Sequence, residues 1–423
     1  MAENDNIQEF CGKCRRELLE NILPFWMEHG WDREHGGVYT CLDRDGTLMD
    51  PTKSVWFQGR FAYVLSYAYN HVERNPEWLA AAKSTIDFFE RHCFDARGKM
   101  YFEVSADGTP LRMRRYLFSE CFAAMALAEY ALASGDGGCA ERALDLFRRI
   151  LAFKDDPAMT PPKYEPAIVT QGHSLTMILI NVAMTLKQVL DDSALDAQID
   201  ASIRRLTECF VHPEFKCLLE TVGPNGEFLD TCAGRTINPG HAIETSWFLM
   251  DVAKARGDRG LLATALQILD WSWDWGWDGD EGGGIISFRD CRNFPPQSYE
   301  QDMKFWWPQC EAVVANFEAY SLTGEARFLK RLRLAADWAW THLKDPEFPE
   351  WFGYLHRDGT VAQSAKGNLF KGPFHIPRML VKCCSGRIDN ECDGANMWYN
   401  TRHGEDDDIH LFVCGHPLKN EHK

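Results

Sequence analysis

The chain has 423 residues, 45% of them hydrophobic and 25% charged, which is ample material for a large buried core in a water-soluble protein. Its 62 Asp and Glu outnumber 45 Lys and Arg for a formal charge of −17 at pH 7, a field that repels nucleic acid and anionic membrane surfaces, so neither is expected as a partner. The start "MAENDNIQEF" lacks the basic and apolar regions of a secretory leader and no apolar run is long enough to span a bilayer, so a cytoplasmic protein is expected.

In chain order the first mark is Cys11-Gly-Lys-Cys14, whose CxxC spacing suits a redox or zinc site but meets no second CxxC or CxxH; Cys383-Cys384 is a vicinal pair far downstream. The 15 cysteines are scattered through amphipathic segments and are expected to be mostly reduced core residues, with no metal site. Short β-like runs then end in turn dipeptides: "GGVYTCLDRDG" at Gly46, "GKMYFEVSADG" at Gly108, "CLLETVGPNG" at Gly226 and "FGYLHRDG" at Gly359. Each reads as a β-hairpin. The turn residues Asp45, Asp107, Asn225 and Asp358 are spaced as one period followed by two double periods. "GGGIISFRDCRNF" around Asp290 fills one gap as a further hairpin, and the Pro-rich "DDPAMTPPKYEP" replaces the other near residue 166. The chain therefore predicts six units of roughly 60 to 70 residues.

Between the hairpins lie pairs of helix-period segments, such as "FAYVLSYAYNHV" then "PEWLAAAKSTIDFFERHC", about twelve helices in all. Those that follow the hairpins are apolar almost all round, as an inner ring buried on every side requires. The predicted fold is all-α: an (α/α)6 barrel of six helical hairpins over residues 1–388, with short β-hairpins in the connecting loops. An open solenoid of the same pairs is the alternative. Residues 389–423, acidic and of low periodicity, read as a loosely ordered C-terminal extension.

The six inner helices open on "KSVWFQGR", "RRYLFSEC", "VTQGHSLTM", "NPGHAIETSW", "KFWWPQCEA" and "KGPFHIPR". These openings gather Arg60, Glu120, His173, His241, Glu244, Glu311, His375 and Arg378, with Trp56, Trp247, Trp306 and Trp307 beside them. In a barrel they converge on one mouth. The prolines around His375 stiffen its approach and aim it inward, and helix N-termini there favour anions and a neutral, usable imidazole. Glu120, Glu244 and Arg378 could equally be capping or bracing groups, Arg60 and Glu311 a structural ion pair, and the tryptophans core or carbohydrate-stacking walls. Other histidines, including His29, His92 and His342, are assigned to core or surface.

No Walker A sequence, strand-linked GxGxxG or HExxH appears, so the chemistry is expected to need acids, bases and charge alone, with no cofactor. Two imidazoles with a carboxylate and an arginine suit proton abstraction beside a carbonyl, with inversion if the imidazoles face opposite sides of the carbon. A positioned base supplies about 3 to 5 kcal/mol where enzymes commonly supply roughly 8 to 23, so the enolate oxygen must be stabilised too, and Arg60 is the candidate.

"VWFQGR", "FSECF", "NPGHAIE", "WWPQCEA", "EWFGYLHRDG" and "KGPFHIPR", in this order, resemble the N-acyl-D-glucosamine 2-epimerases, the family that includes renin-binding protein. The likeness runs from about residue 15 to residue 385 and has no counterpart beyond it. It implies an (α/α)6 barrel that interconverts N-acetylglucosamine and N-acetylmannosamine, as a homodimer, with ATP or a related nucleotide as activator rather than reactant. Carried over by motif, His241 and His375 are the base and acid pair, Arg60 and Glu311 hold the opened sugar and its enediolate, and Glu244 supports the first histidine. Trp56, Glu120, Trp306, Trp307, Arg378 and His173 are expected to bind substrate, His173 on position alone. Competing expectations are an aldose-ketose isomerase or 2-epimerase acting on an unsubstituted sugar, a glycosidase using Glu244 and Glu311, and a protein-binding module of the renin-binding kind.

Overall fold

The computed structural model describes residues 2–161 and 169–385; the extension at 389–423 and the end of the Pro-rich stretch, from residue 162 on, lie outside the described residues. The helices are α1 (Ala2–Glu17), α2 (Leu23–Phe25), α3 (Val55–His71), α4 (Pro76–His92), α5 (Phe118–Ser134), α6 (Gly137–Phe153), α7 (His173–Leu186), α8 (Ser193–Arg205), α9 (Pro239–Arg256), α10 (Arg259–Gly276), α11 (Trp306–Thr323), α12 (Ala326–His342) and α13 (His375–Ser385). One π turn joins α1 to α2 and another carries the first helical segment on to Gly30. Side chains cap most outer helices: Asn75, Asp136, Asp192 and Asp258 each accept a first-turn N–H.

Neighbour contacts run α3 to α5, α7, α9, α11, α13 and back to α3, so six inner helices close a ring. Outside it stand α1, α4, α6, α8, α10 and α12, and the architecture is the (α/α)6 barrel the periodicity predicts. The division follows from composition. Helix α5, "FSECFAAMALAEYALAS", is buried from Ser119 to Ala131, whereas α6 buries only one stripe containing Ala143, Leu146, Phe147 and Ile150. Each large apolar side chain so buried contributes about 1.5 to 3 kcal/mol. Alanine and glycine let neighbours approach closely: a Cβ on Gly59 would sit 2.5 Å from the Phe122 backbone, so only glycine fits where α3 meets α5. Among the described residues no helix is long and apolar enough to cross a membrane.

Short antiparallel strands position the helix starts. They are β1 (Cys41–Leu42), β2 (Leu48–Asp50), β3 (Lys53–Ser54), β4 (Glu103–Val104), β5 (Pro110–Arg112), β6 (Gln171–Gly172), β7 (Val211–His212), β8 (Cys217–Leu218), β9 (Thr221–Val222), β10 (Thr236–Ile237), β11 (Arg289–Asp290), β12 (Lys304–Phe305), β13 (Tyr354–Leu355) and β14 (Val361–Gln363). The pairings β3–β4, β6–β9, β10–β11 and β12–β13 follow one rule: the strand before an inner helix pairs with the strand after the next outer helix. Every such helix start is thus stitched to chain about 50 residues away.

The hairpins at Gly46, Gly108 and Gly359 form as predicted, with φ of 92°, 92° and 84°. Beneath each glycine lies the ring of the last histidine of the preceding helix, His29, His92 or His342, where a Cβ would collide. Two predicted hairpins are corrected. The Gly226 turn exists, but its first arm, β9, pairs with β6, and the segment around Asp290 pairs with β10. In both, no local return arm pairs on the other edge, where β4 has β5 and β13 has β14. The described cysteines are free thiols, and Cys14 and Cys383 are both fully buried on α1 and α13, which pack together.

Candidate active site

The inner-helix openings converge on a cavity of about 740 Å3 whose walls include Trp56 and Arg60 from α3, Phe118 and Phe122 from α5, His241 and Glu244 from α9, Trp306 and Trp307 from α11, and His375. The segment leading to His375 is held from below. Lys371 is buried, donates to Glu350 Oε1 at 3.1 Å and to the Lys366 carbonyl at 2.6 Å, and Glu350 accepts from Trp26 at 2.6 Å. Gly372 lies against the Phe57 ring, and Arg378 N–H donates to the Phe374 carbonyl at 2.8 Å to begin α13. The two cations of "KGPFHIPR" therefore differ in role: Lys371 anchors the approach, and Arg378 joins the site.

His375 places Nδ1 2.7 Å from Glu311 Oε1. Arg378 Nη2 donates to the same oxygen at 2.7 Å and to Glu244 Oε1 at 2.6 Å, and Trp247 Nε1 donates to Glu311 Oε2 at 2.8 Å. Burial, and then the cations Arg378 and Arg60, push the His375 imidazole well below its ordinary range, so it is neutral at pH 7. Arg378 stays charged against burial because Glu311 and Glu244 hold it.

Across the cavity, His241 N–H donates to the Asn238 cap at 3.1 Å, and its Nδ1 lies 3.0 Å from Glu220 Oε1. Burial opposes its charge, yet Glu220 wins and the imidazole is raised above its ordinary range. The neutral histidine expected at a helix start is thus found at His375, while His241 is shifted in the opposite direction. The Trp307 ring neighbours both, 5.0 Å from the His241 ring and 5.9 Å from that of His375, and all three line the one cavity.

Arg60 sits among rings, with its guanidinium carbon 4.0 Å from the centre of Phe122 and 4.5 Å from that of Phe374. Its Nε is buried without a partner, and among the described residues no carboxylate hydrogen-bonds it. Burial and Arg378 lower it to about 9. A cation held this way keeps its donors for a ligand oxygen.

Several expectations are corrected. Glu120 is buried and does not line the cavity; it accepts the Met100 N–H at 2.7 Å, as Gln58 does from Val38 (2.8 Å) and Gln309 from Ile285 (2.7 Å), so it braces a helix start. Burial raises its carboxyl to about 7. His173 is fully buried behind the wall, with Nε2 2.9 Å from Thr245 Oγ1 and Nδ1 3.5 Å from Glu220. Arg378 likewise stands behind the wall, and Glu244 supports Arg378 where support of His241 was expected. That support comes from Glu220, in "CLLETVG", which sequence reasoning missed.

Two groups bring three ligand-type atoms within 4.8 Å of one another, His173 with Glu220 and His241, and Glu244 with Glu311 and His375. In the second the Arg378 guanidinium already occupies the carboxylates, and both groups read as hydrogen-bonded acid–imidazole sets. Glu244 and Glu311 also share one guanidinium nitrogen, which leaves neither free to flank a glycosidic bond as a hydrolase needs.

A family model described as N-acylglucosamine 2-epimerase (GlcNAc 2-epimerase) matches residues 37–372. The N-acylglucosamine 2-epimerase of Bos taurus is 36% identical over 390 residues, covering 90% of this chain and 92% of that one. Among solved structures, cellobiose 2-epimerase from Bacillus thermoamylovorans aligns with a TM-score of 0.78 at 22% identity, covering 88% of this chain and 98% of that one. A D-mannose isomerase aligns with a TM-score of 0.74 at 16% identity, covering 89% and 97%. At these identities the two structures speak to the fold alone.

Proposed function

We propose that this chain, which belongs to the N-acylglucosamine 2-epimerase family, interconverts N-acetyl-D-glucosamine and N-acetyl-D-mannosamine by removing and returning the C2 proton of the open-chain sugar. The observation that carries the reading is a pair of imidazoles on two walls of one cavity, each tied through Nδ1 to its own carboxylate. Such a bond fixes the ring and leaves Nε2 for substrate.

Ring opening precedes deprotonation, because only the aldehyde acidifies the C2 hydrogen. Neutral His375 takes that proton and His241 delivers one to the opposite face, which inverts C2. Arg60 faces the oxyanion that develops at C1; one preorganised donor of this kind contributes about 2.7 to 4 kcal/mol. Trp306 and Trp307 offer stacking faces to the sugar chain. We place the reaction in amino-sugar metabolism, in a cytoplasmic homodimer that needs no cofactor for the chemistry and takes ATP or a related nucleotide as activator; the motif resemblance supports the amino-sugar reaction, the dimer and the activator.

The test is an NMR assay of N-acetylmannosamine in deuterated water, with and without ATP. Wild type is expected to yield N-acetylglucosamine carrying deuterium at C2, and His375→Asn to lose at least about 100-fold in kcat with its circular dichroism unchanged. Undiminished turnover in the variant removes His375 from the chemistry. Conversion of free mannose to fructose in preference to the N-acetyl sugar would replace this reading by an aldose-ketose isomerase.

A further inference from the structure

The two imidazoles are backed alike in geometry but not in charge. On the His375 side, Glu244 and Glu311 face Arg378 and Arg60, two negative charges against two positive, so the corner balances with a neutral imidazole. Glu311 is also saturated, since Arg378, Trp247 and His375 all reach its oxygens.

Glu220 differs. It lies on the segment joining β8 to β9, with its N–H donating to the Thr236 carbonyl and its carbonyl accepting the His173 N–H, each at 3.1 Å, so its backbone is fixed. Its side chain meets only imidazoles, His241 at 3.0 Å and His173 at 3.5 Å, and among the described residues no Lys or Arg pairs with it. The hydroxyl of Thr245 donates to the His241 carbonyl at 2.8 Å and so accepts from His173 Nε2, which commits the His173 proton there and leaves its buried Nδ1 unpartnered. The groups that face His241 are Glu244 on its own helix, His173 on α7, Glu311 on α11, His375 on α13 and Glu220. Glu220 alone is within hydrogen-bond reach of its ring nitrogen and lacks a cation.

We propose that Glu220 is a positioning residue that keeps the proton on His241 in the resting enzyme, while Arg378 offsets the charge of the Glu311 carboxylate that His375 touches, so that C2 meets an acid on one side and a base on the other before chemistry begins. This rests on the epimerase reading above. The raised His241, the depressed Glu220 and the lowered His375 agree with it. Proton balance is simple: one proton passes from C2 to His375, another from His241 to the opposite face, and the pair is left with its charge exchanged. The epimer whose C2 hydrogen faces His375 therefore meets an enzyme already in the right form. The other epimer requires the exchanged form, which solvent must restore.

The experiment compares wild type, Glu220→Gln and Glu220→Asp as full-length proteins, in both reaction directions and across pH, following C2 exchange and inversion separately in deuterated water. Because His241 must be protonated to deliver, activity falls as pH rises through its titration. Gln should move that alkaline limb down by about one pH unit and cut kcat/KM at least about ten-fold, by the same factor in both directions because the equilibrium constant is fixed. It should also raise the share of substrate that gains deuterium without inverting, since removal by His375 survives and delivery from His241 fails; Asp should retain the wild-type limb. An unmoved limb, with the shares of exchange and inversion unchanged, overturns the proposal. A second measurement needs no substrate: histidine-selective nitrogen-15 NMR of the free wild-type enzyme should find His241 protonated and His375 neutral at pH 7, and the reverse, or both neutral, overturns it even if the Gln variant fails to fold. Absence of any C2 exchange in wild type would instead strike the epimerase reading, leaving the NMR result to decide this one.

Discussion

Replacing Arg378 by methionine tests the charge balance behind His375. The guanidinium is 1% exposed, and one of its nitrogens holds Glu244 at 2.6 Å and Glu311 at 2.7 Å. Methionine keeps much of the volume and the contact with Phe374, but it strands two carboxylates together. Removing one member of a buried charged set costs about 3 to 5 kcal/mol. With an unfolding entropy of about 2.1 cal/mol/K per residue over 423 residues, this is roughly 3 to 6 °C in Tm. The loss depends on pH. Crowded carboxyls are held above their unfolded range, so the folded variant takes up a proton, and its deficit is largest near neutrality and shrinks as pH falls toward about 5. His375 loses its nearest cation while Glu311 remains, so its imidazole rises and the acid limb of kcat/KM moves to higher pH. Calorimetry of both proteins at about pH 5, 6.5 and 8, with the activity profile, decides the matter. A Tm deficit equal at all three values with an unmoved acid limb would refute the reasoning, because lost packing alone carries no pH dependence.

Glu120 offers a stability test with the opposite outcome. Its folded carboxyl stands at about 7 against an ordinary value of 4.5, so its contribution is fully present below about 4.5 and lost as pH rises through 7, at most roughly 3 kcal/mol. Glu120→Gln should therefore be more stable than wild type at pH 8 and flatten the slope between 5 and 8 in chemical denaturation; a less stable variant at pH 8 defeats the argument. Gly59→Ala should drive a methyl against the Phe122 backbone, destabilise by about 1 to 3 kcal/mol and displace Arg60, read as a lower Tm together with a lower kcat; an alanine variant with unchanged Tm contradicts the close approach of α3 and α5.

The ring of helices was readable in the sequence because its signals are local. Turn glycines at 46, 108 and 359, and helices without a polar face such as α5, need no knowledge of distant partners. The convergence of His241 and His375 was readable for the same reason, since both lie at helix starts of one periodic array. The stitching of β10 to β11 was not, because a two-residue strand carries no periodicity and finds its partner about 50 residues on. Glu220 was hidden likewise: it sits in the short link between β8 and β9, and only the barrel brings it to His241. Glu120 had a visible signal that went unused. Gln58 and Gln309 occupy matching openings and bond backbone there, so a polar residue at that point reads first as a brace.

The seat of α13 between α11 and α3, backed by α1, has a consequence for the order in which the molecule matures. A ribosome releases five inner helices before the one bearing His375 and Arg378 exists. Until then Glu244 and Glu311 face each other in an open groove without their shared cation. On the proposed chemistry, competence to move a proton arrives only as the last wedge closes the ring, so a nascent or prematurely ended chain would carry most of the cavity wall and none of the turnover.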